Sequence, residues 1–258
     1  MIEVDHLWKS YDDADDALES AAVCDLSFTV EPGEIFGLLG PNGAGKTTTL
    51  RILATMLQPT RGTVRVGGHD VRYQPAAVRR SIGFVSNNTA VYDRMTAWET
   101  VEYFGRLYGM KRQQLHRRME QLFAELQMES FQGVPGGKMS TGMRQKVSIA
   151  RALVHDPPVL VFDEPTLGLD VLAARALLEI IDRLRAQGKC ILFSTHIMRE
   201  VEKLCDRVAI LHHGRLLAEG TVSSLSYRFD RSDFEDVFFY LIDQADQSRA
   251  DTAEYSVG

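Results

Sequence analysis

The sequence predicts an α/β fold, a mostly parallel sheet covered by helices on both faces, with a small antiparallel β-subdomain and an α-helical subdomain beside it. Three observations carry this reading. After residue 158, apolar strand-like runs at 159–162, 190–194 and 208–211 alternate with helical patterns at 172–187 and 198–204. Continuous apolar strands spaced by helices are what a buried parallel sheet requires. Residues 61–71 read as strand, Gly67-Gly68 turn, strand, and 96–128 read as helical, with Leu115, Met119, Leu122, Phe123 and Leu126 on one face.

The elements follow in order. Residues 27–30 alternate apolar and polar as a half-buried strand does, and Glu31-Pro32-Gly33 makes a turn. Residues 34–39 form an apolar strand that runs into Gly40. In 47–57, Leu50, Leu53, Ala54 and Leu57 recur at helical spacing until Gln58-Pro59 stops the helix. A Gly/Pro-rich loop at 133–138 leads to Ser140, which caps a helix reaching Val154, with Met143, Val147, Ala150 and Val154 on one side. Pro157-Pro158 closes it. The aromatic, acidic stretch 233–240 is expected as a docked helix, and 243–258 as a mobile polar tail. Asp12, Asp13, Asp15 and Asp16 read as a solvated hairpin tip.

Composition excludes several classes. The 258 residues are 45% hydrophobic and 25% charged, with 29 Lys+Arg against 35 Asp+Glu for a net charge of −6, which is globular and not disordered. This acidic balance argues against nucleic acid as a partner. No run approaches the ~18–20 apolar residues of a membrane span. Residues 1–10 have no apolar segment of the signal-peptide kind. Cys24, Cys190 and Cys205 are odd in number and lack CxxC spacing, so neither a disulfide frame nor a zinc site is expected, and the expected setting is the cytosol.

The chemistry is concentrated in two motifs. Gly40-Pro41-Asn42-Gly43-Ala44-Gly45-Lys46-Thr47 fits G-x-x-x-x-G-K-[ST] between a strand and a helix. Its glycines let backbone N–H groups turn inward on phosphates, and the helix N-terminus adds positive potential. Lys46 is expected at the β- and γ-phosphates, the Thr47 hydroxyl on Mg²⁺, and Thr48 beside the nucleotide. The apolar strand 159–162 ends in Asp163-Glu164: the first carboxylate is placed for Mg²⁺, the second to polarise an attacking water. Together these motifs indicate a P-loop NTPase with Mg²⁺ as cofactor. Transporter motor, switch and kinase remain open at this point.

Met139-Ser140-Thr141-Gly142-Met143, 23 residues before Asp163, resembles the signature motif of the ABC (ATP-binding cassette) ATPases. It departs from the common L-S-G-G-Q but keeps the hydroxyl of Ser140 and the small Gly142. Thr166-Leu167-Gly168-Leu169-Asp170 resembles the family's D-loop, His196 its switch histidine, and Tyr11 the aromatic that stacks on adenine. In the Q-loop segment 82–87, Asn87 stands where Gln is usual; it either reaches Mg²⁺ through a water or is a turn residue beside Asn88. Segments 29–49, 82–96 and 140–153 are similar to the sodium-export, NatA-type branch of the family.

The resemblance spans about residues 1–220, with a helical subdomain near 88–150 and a C-terminal extension at 221–258. It implies a P-loop NTPase with a RecA-like core and ATP as its ligand, an ATPase that dimerises, as a homodimer or pseudo-dimer, and drives export, Na⁺ efflux by preference, through an integral-membrane permease. Such a subunit sits in the cytoplasm, peripheral on the inner face of the cell membrane. It also implies that 91–99, with Tyr92, Met95 and Trp98, receives a helix of the permease, against the alternative that these side chains are subdomain core. Multidrug or other exporter ATPases, and a soluble non-transport ABC ATPase, are the alternative functions.

Overall fold

The computed structural model describes residues 1–11, 21–86 and 91–255, with side chains to residue 248. Two sheets form the body. The first is antiparallel, in the order β2–β1–β4–β5, from β1 (Ile2–Lys9), β2 (Val23–Val30), β4 (Arg61–Val66) and β5 (His69–Asp70). Its second strand starts earlier than the sequence suggests, because Leu26 continues the inward-facing alternation of Phe28 and Val30, and Val23, beyond an irregularity at Asp25, joins the same core. The second sheet runs β10–β9–β3–β8–β7–β6, from β3 (Ile35–Leu39), β6 (Ile82–Ser86), β7 (Val159–Asp163), β8 (Cys190–Thr195), β9 (Arg207–His212) and β10 (Arg215–Gly220). All its pairings are parallel except the β9–β10 hairpin at the edge. Every residue of β3, β7 and β8 is buried, as strands covered on both faces must be.

Three apolar clusters hold the layers. Between the sheets, α1 (Lys46–Leu53) packs Leu50, Ile52 and Leu53 against Leu7, Leu26, Phe36 and Val161. On the opposite face, α3 (Ala97–Leu107), α4 (Arg112–Glu125), α5 (Thr141–Leu153) and α6 (Val171–Ala186) share a core of Met119, Leu122, Phe123, Val147, Ile181 and Phe193. The single helical run expected over 96–128 is therefore two helices. Gly109, at φ 77°, ends the first in a left-handed turn, and Met110 N–H closes on the Gly105 carbonyl at 3.1 Å. Trp98 packs tilted against Phe123 with ring centroids 5.1 Å apart, so it belongs with the subdomain core, whereas Tyr92 is exposed.

The third cluster joins α7 (Met198–Leu204), α8 (Val222–Arg228) and α9 (Phe234–Tyr255) to β9 through Phe234, Val237, Phe238 and Leu241. The helix runs on through residues expected as a polar tail. Nothing between Asp243 and Tyr255 is Gly or Pro, and Ala245, Ala250 and Ala253 favour its continuation. The short α2 (Pro75–Ser81), opened by proline at its first position, has no counterpart in the sequence reading. Asn87, Asn88 and the aspartates at 12, 13, 15 and 16 lie outside the described residues.

His155 joins the helical layer to the sheet. It stacks on Tyr108 at 3.6 Å, and its Nε2–H donates to the Ile82 carbonyl at 3.2 Å, leaving Nδ1 buried without a partner. A second proton at Nδ1 would have no acceptor, and burial pushes the imidazole pKa down from 6.5 to about 4. Between these values the unfolded chain binds more protons than the folded one, so stability rises with pH across that window. Denaturant titrations from pH 4 to 7 are expected to show this slope, and His155→Phe to flatten it.

Candidate nucleotide site

The site forms where the parallel strands end. In the sheet register Leu39 of β3 lies beside Thr195 of β8, Ser194 beside Asp163 of β7, and Asp163 beside Ser86 of β6. The carboxyl ends therefore finish level, which is where open α/β sheets bind ligands.

The loop 40–47 connects β3 to α1. A Cβ on Gly40 would stand 2.4 Å from the Leu211 carbonyl oxygen. One on Gly45, whose φ is 99°, would stand 2.6 Å from that of Ala22. Only glycine fits either place. Lys46 is 4% exposed, and its Nζ donates to the carbonyls of Gly40 at 2.5 Å and Pro41 at 3.1 Å. Burial lowers the lysine pKa, and the carboxylate of Glu164, 3.4 Å away, opposes that shift. The buried ammonium, partnered by the two carbonyls, and the N-terminus of α1 give the loop its positive potential.

Asp163 ends β7. Its Oδ1 accepts from the Ser194 hydroxyl at 2.8 Å and the Thr47 hydroxyl at 3.3 Å. Burial raises the carboxyl pKa, and these two hydrogen bonds hold the shift back. The donor set, a buried carboxylate against a hydroxyl, is all oxygen, as a hard divalent cation requires.

Glu164 takes a left-handed backbone, φ 47°, unusual for a side chain of its size. Its N–H is anchored to both the carbonyl oxygen and the hydroxyl of Ser194, at 3.1 and 3.2 Å. This turn brings Oε1 to 3.4 Å from Lys46 Nζ and to 3.4 Å from His196 Nδ1. The backbone on either side of His196 is fixed by Thr195, whose hydroxyl donates to Glu200 at 2.6 Å and accepts from Ile197 N–H at 3.0 Å. At the rim, Tyr11 is 60% exposed; its hydroxyl is 3.3 Å from that of Thr48 and the Lys9 ammonium is 5.2 Å from its ring centre.

Ser140, Gly142 and Asp170 are brought together elsewhere. Ser140 caps α5, accepting from Met143 N–H at 3.2 Å, and Asp170 caps α6, accepting from Leu172 and Ala173 N–H at 3.0 and 2.9 Å. All three line a hollow of about 620 Å³ between α5 and α6, whose lining includes neither the loop 40–47 nor Asp163, Glu164 and His196. Val171 and Leu172, 84% and 79% exposed, lie next to Asp170 at the start of α6. The two groups of residues are linked by the buried Gln145, whose amide donates to the Pro165 carbonyl at 2.9 Å.

Sequence reasoning passed over Ser194 and Gln145. For Ser194 a signal existed, a hydroxyl residue at the end of an otherwise apolar strand, Cys190-Ile191-Leu192-Phe193. Gln145 offers none, because only the fold shows its amide facing Pro165. Asn87 is not described, although Ser86, one residue before it, pairs with Asp163.

Comparison with known proteins gives the family and the fold. The ABC transporter family matches residues 23–167. The chain is 48% identical over 213 residues to the ABC transporter ATP-binding protein NatA of Bacillus subtilis (strain 168), covering 82% of this chain and 86% of that protein. It is 42% identical over 224 residues to the Nod factor export ATP-binding protein I of Paraburkholderia xenovorans (strain LB400), covering 87% and 72%. Its fold matches the dimeric post-hydrolysis state of the ATP-binding cassette MJ0796 bound to ADP and Pi, with a TM-score of 0.75 at 25% identity, over 86% and 98% of the chains.

Ser194 makes the site's geometry testable. Ser194→Ala leaves a buried carboxylate one donor short and removes one of the two oxygens that anchor Glu164. A loss of about 1–3 kcal/mol in urea denaturation is expected, with ATP turnover falling more than ATP affinity.

Proposed function

The chain belongs to the ABC transporter family as a subunit that binds and hydrolyses ATP, and we propose that it powers export through a separate integral-membrane permease, with Na⁺ as the cargo. The observation that carries the hydrolytic part is the convergence of Lys46 and His196 on one oxygen of Glu164, beside the Thr47–Asp163 pair. A cation, a carboxylate and an imidazole around one point suit an attacking water and a γ-phosphate.

In this reading, the backbone N–H groups of the loop from Gly40 to Thr48, all but Pro41, which has none, receive the phosphates, and Lys46 exchanges its loop carbonyls for β- and γ-phosphate oxygens. Thr47 and Asp163 would hold Mg²⁺; Asn87, outside the described residues, is read from the sequence either as a water-mediated contact to that ion or as a turn residue. The ion supplies charge neutralisation across the phosphates when bound. Glu164 orients and polarises the water, His196 contacts the γ-phosphate, and Tyr11 stacks on the adenine.

The separate hollow at Ser140, Gly142 and Asp170 supports a head-to-tail dimer. A capped helix N-terminus with a glycine beside it is suited to an anion, and a second copy would present its nucleotide there. The related cassette MJ0796 is dimeric in its ADP-bound structure. Among the described residues no helix is long and apolar enough to cross a membrane. The exposed Tyr92 fits the expected permease contact on the cytoplasmic side, while Trp98 does not, being part of the core. The cargo reading rests on the likeness to NatA, and the 42% identity to a Nod factor exporter favours a second reading, export of another substrate. Sodium flux in vesicles containing both subunits decides between them.

Glu164→Gln is expected to retain ATP binding and lose turnover by ~10²–10⁴, measured by nucleotide titration and phosphate release. Near-normal turnover would remove Glu164 from the proposed role. For the dimer, Lys46→Ala and Ser140→Arg should each be nearly inactive alone. Mixed under conditions where protomers exchange, they should regain activity, because one of the two composite sites is then intact. A mixture as inactive as its components, with exchange verified, would argue against the composite site.

A further inference from the structure

The turn between β9 and β10 braces the phosphate loop. Leu211 O abuts Gly40, Gly214 N–H donates to the Ala44 carbonyl at 3.1 Å, and the Gly214 carbonyl accepts from Cys24 N–H at 2.7 Å. Between these contacts lie His212 and His213. Successive side chains in an extended strand point to opposite faces. Here His213 adopts φ 46°, and both imidazoles reach the same atom, Oδ1 of Asp246 on α9, at 2.7 Å from His212 Nε2 and 3.1 Å from His213 Nε2. The helix is brought there by the apolar seat of Phe234, Val237, Phe238 and Leu241.

The three donor atoms lie within 4.8 Å of one another. Ligands held ~2.0–2.1 Å from a tetrahedral Zn²⁺ sit roughly 3.4 Å apart, so the 2.7 and 3.1 Å spacings to Asp246 Oδ1 need to open by about 0.7 and 0.3 Å. Two imidazole nitrogens and one carboxylate oxygen suit a borderline transition metal, unlike the all-oxygen pair at Thr47 and Asp163. His212 is buried, and its Nδ1 has no hydrogen-bond partner, so nothing on that side fixes the tautomer. The Nε2 side decides: it gives a proton to Asp246 without a metal and a lone pair to one that enters.

We propose that His212, His213 and Asp246 form a site for a divalent transition metal of the Zn²⁺ class. With water as a fourth ligand, the ion would clamp the C-terminal helix to the turn that braces the phosphate loop. The site does not depend on the functional reading above.

The test is a calorimetric titration of the chelator-treated full chain with Zn²⁺, in excess Mg²⁺ to occupy all-oxygen sites. One saturable equivalent is expected, with slower proteolysis of α9 in the loaded protein. His213→Ala and Asp246→Ala remove ligands whose side chains are about half exposed, so the fold should survive, as circular dichroism will verify. Each should weaken binding by more than the ~10–100-fold of a lost outer-shell contact, and abolish the protection. Absence of saturable binding would overturn the proposal. So would unchanged binding in both variants, which would assign the ion to thiols or to the phosphate loop.

Discussion

The parallel register of β3, β8 and β7 is the constraint on which the remaining site geometry hangs. It sets Ser194 beside Asp163, and from that one adjacency follow the hydrogen bond that orients the carboxylate and both bonds that anchor the next backbone N–H. A slip of one residue in β8 would turn the Ser194 side chain to the other face of the sheet. The all-buried strands make such a slip costly, since each would then mispack on both layers. The apolar core thus fixes polar positions that it does not touch.

Electrostatics then divides the molecule. Around Lys46, one buried cation faces two loop carbonyls and a carboxylate that it shares with His196. Removing a charge from water is unfavourable unless it is paired and hydrogen-bonded, and these partners meet that need within the chain. The hollow at Ser140 has a different balance, with helix-start dipoles and small side chains but no comparable cation among its lining except Lys146. Two half-sites of unlike character on one chain are what a reciprocal dimer would complete.

Much of this was legible in the residues. The strand–loop–helix order around Lys46, the carboxylates after an apolar strand and the cap at Ser140 follow from local rules with short range. What escaped has long range. Ser194 matters only because β8 lies next to β7, and Gln145 only because α5 passes beneath Pro165. The helical break at Gly109 was visible as a glycine, yet the periodicity on both sides is the same, so the pattern alone ran through it. The continuation of α9 past Asp243 escaped for the opposite reason. A polar sequence without Gly or Pro fits a helix as well as a tail, and the apolar docking of the first turns settles which.

The left-handed backbone at Glu164 has an evolutionary consequence. Glycine would occupy φ 47° with no steric penalty, and asparagine with less than a glutamate, so the local backbone favours residues that lack the proposed water-polarising group. Conformational ease and chemistry are in conflict at this one position. Random drift toward greater thermostability would therefore tend to erode the carboxylate first, and a lineage that has given up turnover but kept nucleotide binding should record its loss here, as a more comfortable residue in the same turn.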